Sequence, residues 1–265
     1  MTPIRTTQRD GSRTYRVRGE DLWSVTTIIG GGLPKPALLP WGIRTVAEFA
    51  VTESLLRGSK SLTARARRDP AEAIAHLKAA PYAQRDKAAG IGTQVHAATE
   101  AYVLGTPMPE PPSEVAPYLA AHRRFLDDWR PEFLMTEGTV CNWTERYAGT
   151  LDWIARLDGA LVIGDTKTGK AVYPEVALQL AAYRYAEFVV LPNGTEAPLP
   201  AAERAVVLHL RPDGYSLVPV EAGEREYLCF RYVRECFRFL EEIAPTVLGE
   251  ALAVLAASKN EGGQP

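Results

Sequence analysis

Cysteine is scarce in this sequence, long apolar runs are missing, and neither sign of charge is in excess. Three cysteines in 265 residues (Cys141, Cys229 and Cys236) cannot make a closed disulfide framework, and they lack the paired spacing of a structural zinc site. Cys229 and Cys236 stand seven residues apart on an expected helix, which points to one shared buried face. No stretch is apolar enough to span a bilayer and none reads as a secretory leader, so a reduced, cytoplasmic setting away from membranes is expected. The formal net charge of −2 gives no overall pull toward nucleic acid, so any such binding must rest on local basic patches. Hydrophobic residues make up 46% and charged residues 23%, the balance of an ordinary globular enzyme with one sizeable core.

Against that plain background one stretch stands out: "YAGTLDWIARLDGALVIGDTKTG", residues 147–169. The runs "TLDWIARL" and "ALVIGDTK" are rich in strand formers and flank Asp158-Gly159, a two-residue signal for a type I′ hairpin. A tight turn there opposes Leu157 to Ala160, so that every opposed pair has residue numbers summing to 317. Asp152 and Asp165 satisfy that sum and become cross-strand neighbours, with Cβ atoms roughly 4.5–5.5 Å apart. Lys167, two residues beyond Asp165, projects from the same face. Two carboxylates so close repel, and a hard divalent ion such as Mg²⁺ with oxygen ligands is their natural counter-charge. Lys167 beside them can orient an attacking water or stabilise charge developing on a phosphate. Taken alone, an Asp-x-Lys at a strand end is more often an exposed ion pair. A bulge would shift the register.

The rest of the chain reads as elements that cover this hairpin. Residues 1–22 are polar and arginine-rich, an arm or edge hairpin, and "WSVTTIIGGGLPKPALLPWG" reads as a short strand followed by a glycine- and proline-rich loop. Helical periodicity marks 43–58, 70–80, 82–104 and 113–129; strands are expected at 134–142, 148–157 and 160–167. A helix from Pro174 to Val190, a strand pair with its own turn at Asp213-Gly214, and a helix from Gly223 to Leu255 interrupted at Pro245 complete the chain. This order implies an α/β fold, a mixed sheet flanked by helices on both faces. One domain is read: N-terminal arm and helices over 1–80, core over 81–222, a long C-terminal helix over 223–257, and a disordered tail over 258–265.

Two helices bring further groups to the hairpin. In "GIGTQVHAATEAY", Thr93, His96 and Glu100 lie on one stripe, and His96 is a third candidate metal ligand. Gly90 and Gly92 each cost a helix about 1 kcal/mol relative to alanine, a cost that a close approach by sheet or substrate would explain. In "PEVALQLAAYRYAEF", Gln179 and Tyr183 are another i,i+4 pair. His76, His122 and His209 have no such setting, and Glu100 and Glu137 are left without assigned roles.

"GTQVH", "GTLD", "DTK" and "QLAAY", in that order, resemble the RecB-like branch of the PD-(D/E)xK nuclease superfamily: Gly92 to His96, Gly149 to Asp152, Asp165 to Lys167, and Gln179 to Tyr183. The motifs span about 90 of the 265 residues. The resemblance implies a restriction-endonuclease-like core and Mg²⁺-dependent hydrolysis of DNA phosphodiester bonds, with Mn²⁺ able to substitute. It implies that His96, Asp152, Asp165 and the backbone carbonyl of Thr166 hold the metal, that Lys167 acts on the attacking water, and that Gln179 and Tyr183 contact DNA. An exonuclease working on DNA ends in recombination, repair or phage DNA processing is favoured, with a single-strand annealing or recombination protein as a conceivable partner. Relatives that carry an iron–sulfur cluster use four cysteines, one of them early; here no cysteine precedes Cys141, and no cluster is expected.

Other readings stay open. "GDTKTGK" satisfies a P-loop pattern, but Ala171 stands where Ser or Thr should hold Mg²⁺. A structure-specific endonuclease, RNA as substrate, or a DNA-binding module with a decayed site are the further alternatives. The N-terminal arginines, "RARR" at 65–68, Arg123-Arg124, and Arg231, Arg234 and Arg238 are candidate backbone contacts, each more often a solvated face.

Overall fold

The structure, a computed structural model, describes residues 4–7, 11–56, 58–107, 110–191 and 193–252. The arginine-rich start is an edge meander of strands β1 (Ile4–Thr7), β2 (Arg13–Val17) and β3 (Glu20–Ser24). Arg18 and Gly19, with φ of 49° and 85°, make the two-residue turn between the last two. Of the segment expected as short strand and loop, Trp23 and Ser24 end β3 and 33–37 is loop, but Val25–Gly32 is helix α1 and the last residues already belong to a second helix. Ser24 Oγ accepts the Thr27 N–H at 3.0 Å, and Val25, Ile28 and Ile29 bury one helical stripe, which outweighs the poor helix propensity of "VTTIIGGG".

Helices α2 (Leu38–Leu55) and α3 (Leu62–Arg68) follow, then α4 (Pro70–Leu104) and α5 (Ala116–Trp129). The two helices expected over 70–80 and 82–104 are one: α4 runs through Pro81, and so across the boundary drawn at residue 80. Proline removes one backbone bond, but a firm cap opens the helix, where the Asp69 carboxylate accepts the Ala71 and Glu72 N–H groups. Gly105, at φ 63°, closes it.

The core strands are β4 (Glu132–Asn142), β5 (Tyr147–Leu157) and β6 (Ala160–Lys167), followed by α6 (Val176–Arg184). α6 stops at Arg184, and Phe188–Val190, expected as helix, is strand β7, paired with β4 and with β8 (Glu196–Pro198). β9 (Arg204–Arg211) and β10 (Gly214–Val220) form the expected second hairpin, and α7 (Glu224–Arg238) gives way to a wide turn over 239–243 before Pro245. Cys229 and Cys236 are exposed on α7, not buried, because its core stripe is carried by Phe230 and Phe237. The tail read as disordered lies outside the described residues.

Among the described residues ten strands make one mixed sheet in the order β1-β2-β3-β5-β4-β7-β8, with β6, β9 and β10 branching from β5. One face buries Ile154, Ile163 and Val207 under α1, α6 and α7; the other buries Trp153, Ala155 and Val206 under α4 and α5. α2 and α3 pack on α4 and bury no residue of their own. This is the α/β arrangement with helices on both faces that the element order implied. No helix among the described residues is long and apolar enough to cross a membrane.

Candidate metal centre

The site grows from a fork in the sheet. One edge of β5 pairs with β4 along its length, while the other pairs with β3 at Tyr147-Ala148 and with β6 from Trp153 to Leu157. Gly149–Asp152 spans the gap between. β6 leaves β5 after Gly164 and continues beside β9 as far as Lys167. The expected register holds from Leu157/Ala160 to Trp153/Gly164 and stops one pair short of Asp152/Asp165. The two acids are therefore not a laddered pair. The Thr166 N–H, freed from the ladder, donates to Asp152 Oδ2 at 2.7 Å, so a carboxylate takes the place of a strand partner.

Two glycines shape the fork. The Trp153 ring lies over Gly164 where any side chain would collide, and its Nε1 donates to Thr166 Oγ1 at 3.2 Å. The Tyr183 ring fills the space beside Gly149, where an added Cβ would meet it at 2.7 Å. Gly92 of α4 comes close to the segment after β6, its missing Cβ lying 3.2 Å from Thr168 Oγ1; Gly90 faces open space, so only the first of these two helix glycines answers to close packing.

The two acids take different partners. Asp165 is buried, with both oxygens 2.7–2.8 Å from Lys167 Nζ, and Oδ1 also accepts from Gln179 Nε2 at 2.7 Å. Its Oδ2, although in ion-pair contact, receives no well-directed hydrogen bond. Asp152 instead faces α4: its Oδ2 lies 3.5 Å from His96 Nδ1, and one donor atom each from His96, Glu137 and Asp152 lie within 4.8 Å of one another. A cavity of about 30 Å³ is lined there by His96, Glu100, His122, Glu137, Asp152 and Thr166, among others, space for about one water.

Burial, then the Asp165 charge, push the Asp152 carboxyl up to about 7. Burial and the neighbouring Glu100 also raise Glu137. Lys167 is pulled down by burial but carried above its ordinary value by Asp165 and Asp152, so it stays an ammonium at neutral pH. An excess of close carboxylates, one imidazole and a buried oxygen short of a hydrogen bond suit a hard divalent cation of the Mg²⁺ or Mn²⁺ kind.

Of the residues singled out in the sequence, His96, Asp152, Asp165, Thr166, Lys167 and Gln179 are brought together by these contacts. Tyr183 is not presented to a ligand: it is 3% exposed, packed in the core with Leu180 and Ala182, and its expected contact with DNA is corrected. Gln179, expected to contact DNA, bonds Asp165 directly. Glu137 joins the centre although the sequence left it without a role. It stands opposite Asp152 across β4 and β5, flanked by the pairs Thr136/Trp153 and Gly138/Leu151. The β4–β5 register that places it is set by a four-residue turn over 143–146 and runs unbroken from Asn142/Tyr147 to Met135/Ile154, but "WTER" carries no glycine or Asp-Gly signal to announce that turn.

The remaining motifs have other roles. His122 is buried beside Phe125, its pKa pushed down to about 4 by burial, while His76 pairs with Glu53 and His209 with the Gly169 carbonyl. Several arginines of the candidate basic patches are ion-paired: Arg65 and Arg68 with Glu72, Arg231 and Arg234 with Glu145, Arg238 with Glu235, Arg18 with Glu196. After "GDTKTGK" the next helix begins only at Val176, too late to cradle a phosphate in P-loop fashion.

No family model and no curated protein matches the chain. A solved structure titled "Crystal structure of SSO0001" is similar at 16% identity with a TM-score of 0.30, over 50% of this chain and 63% of that one. At that score the likeness bears on neither fold nor function.

Proposed function

We propose that the chain is a divalent-metal-dependent nuclease with a restriction-endonuclease-like core of the RecB-like type, hydrolysing DNA phosphodiester bonds and acting on DNA ends. The observation that carries this reading is the fork: the strands part where Asp152, Asp165, Lys167 and Gln179 meet, in the order and spacing of the four motifs. Asp152, Asp165, His96 and the Thr166 carbonyl would hold Mg²⁺, which supplies Lewis-acid stabilisation of charge on the phosphate. Lys167, 37% exposed and kept protonated by Asp165, donates to the attacking water or to a phosphate oxygen rather than taking a proton. Gln179 fixes the rotation of the Asp165 carboxylate through its 2.7 Å bond. The preference for ends rests on the motif resemblance and on a near-neutral chain, which disfavours wrapping of long duplex. In a time course with Mg²⁺, end-labelled linear DNA should be degraded while covalently closed circles persist; rapid cutting of the circles would establish an endonuclease instead.

A further inference from the structure

Glu137 sits in the middle of β4 yet has φ of 48°, in the left-handed region that residues other than glycine rarely adopt. It is skipped by the β4–β5 pairing, as Asp152 opposite it is, while the neighbours on both sides remain paired. The local departure from the strand brings its carboxylate to the Asp152–His96 side of the fork. There an imidazole nitrogen and two carboxylate oxygens stand within 4.8 Å of one another. Ligands of a six-coordinate Mg²⁺ or Mn²⁺ lie about 2.1 Å from the ion, so two donors on it stand about 3.0 Å apart when adjacent and about 4.2 Å when opposite, and the three side chains must draw together from their present spacing to share one ion. Asp165 Oδ2, at the other edge of the fork, is buried in ion-pair contact with Lys167 and receives no well-directed hydrogen bond, which leaves it a lone pair for a cation.

We propose that Glu137 is a direct ligand of the divalent cation, completing a set with His96 and Asp152, and that the irregularity of β4 at this residue exists to deliver it. The four-motif pattern contains no such residue, so the assignment goes beyond the nuclease reading while resting on its metal. Thr136 and Gly138 stay in register on either side, so the carboxylate is carried by rigid strands rather than by a loop.

The test needs neither DNA nor activity. Mn²⁺ is titrated into metal-free protein and the free ion followed by its electron paramagnetic resonance signal, for the wild type, Glu137→Gln and Glu137→Asp. Glu137→Gln removes the charge and keeps the shape; Glu137→Asp keeps the charge and withdraws the oxygen by one methylene. Both variants should bind Mn²⁺ at least about tenfold more weakly than the wild type. Wild-type affinity in Glu137→Asp would show that Glu137 acts through its charge at a distance and would overturn the assignment, as would unchanged affinity in Glu137→Gln or no binding by the wild type. The nuclease reading fails separately, if Mn²⁺ binding depends on Glu137 and the loaded wild type leaves DNA uncut.

Discussion

Replacing Asp152 by asparagine should stabilise the metal-free protein while abolishing its response to metal. The folded carboxyl is held at about 7 by burial and by Asp165, against about 3.9 in an unfolded chain. A carboxyl raised by folding keeps its proton in the folded state where the unfolded state has lost it. Its contribution to stability is therefore complete below pH 4 and is lost as the pH rises to about 7. Three pH units at 1.36 kcal/mol each bound the penalty at about 4 kcal/mol, and because Asp152 and Asp165 titrate as a pair, so that the shift does not belong to Asp152 alone, about half of that, ~2 kcal/mol, is the working figure. The amide introduced by Asp152→Asn cannot ionise, and its oxygen can still accept the Thr166 N–H. For a chain of this size ~2 kcal/mol corresponds to a Tm rise of about 4–8 °C, read by differential scanning calorimetry at pH 8 in chelator. The gain should vanish near pH 4, and Mg²⁺ or Mn²⁺ should raise the Tm of the wild type only. A variant less stable than the wild type at pH 8, or one still stabilised by metal, would refute the electrostatic reasoning.

Lys167→Ala should lower the single-turnover cleavage rate by about 100-fold or more with DNA affinity nearly unchanged; lost affinity at an unchanged rate would make Lys167 a phosphate anchor. Tyr183→Ala should cost about 3–5 kcal/mol of folding free energy, measured by urea denaturation, because the ring fills the core beside Gly149. Gln179→Ala should cost little stability and weaken Mn²⁺ binding, since it frees the Asp165 carboxylate; the reverse pattern would put the tyrosine, not the glutamine, at the metal.

Much of the centre was legible because it hangs on a local device. Asp158 and Gly159 adopt φ of 46° and 80°, the mirror-image turn that their residue types favour, and that turn sets the register of the whole hairpin as far as Trp153 and Gly164. The fork beyond was not legible, because it depends on β3 arriving from far back in the chain to pair with Tyr147 and Ala148. The i,i+4 spacing of Gln179 and Tyr183 states that they share a stripe. It does not state that one would bond Asp165 while the other filled the space left by Gly149. Glu137 was hidden for a different reason: the four-residue turn over 143–146 that sets its strand against β5 has no glycine or Asp-Gly signal to mark it. Pro81 and the short strand at Phe188–Val190 were missed because packing overrode local propensity in both.

The most direct test of the central claim is cleavage of end-labelled duplex DNA by the wild type and Asp165→Ala, each with Mg²⁺ and with excess chelator. The account expects cleavage only by the wild type with Mg²⁺, and an Asp165→Ala protein that remains folded by circular dichroism but inert. Equal cleavage by the variant, or undiminished cleavage in chelator, would contradict it.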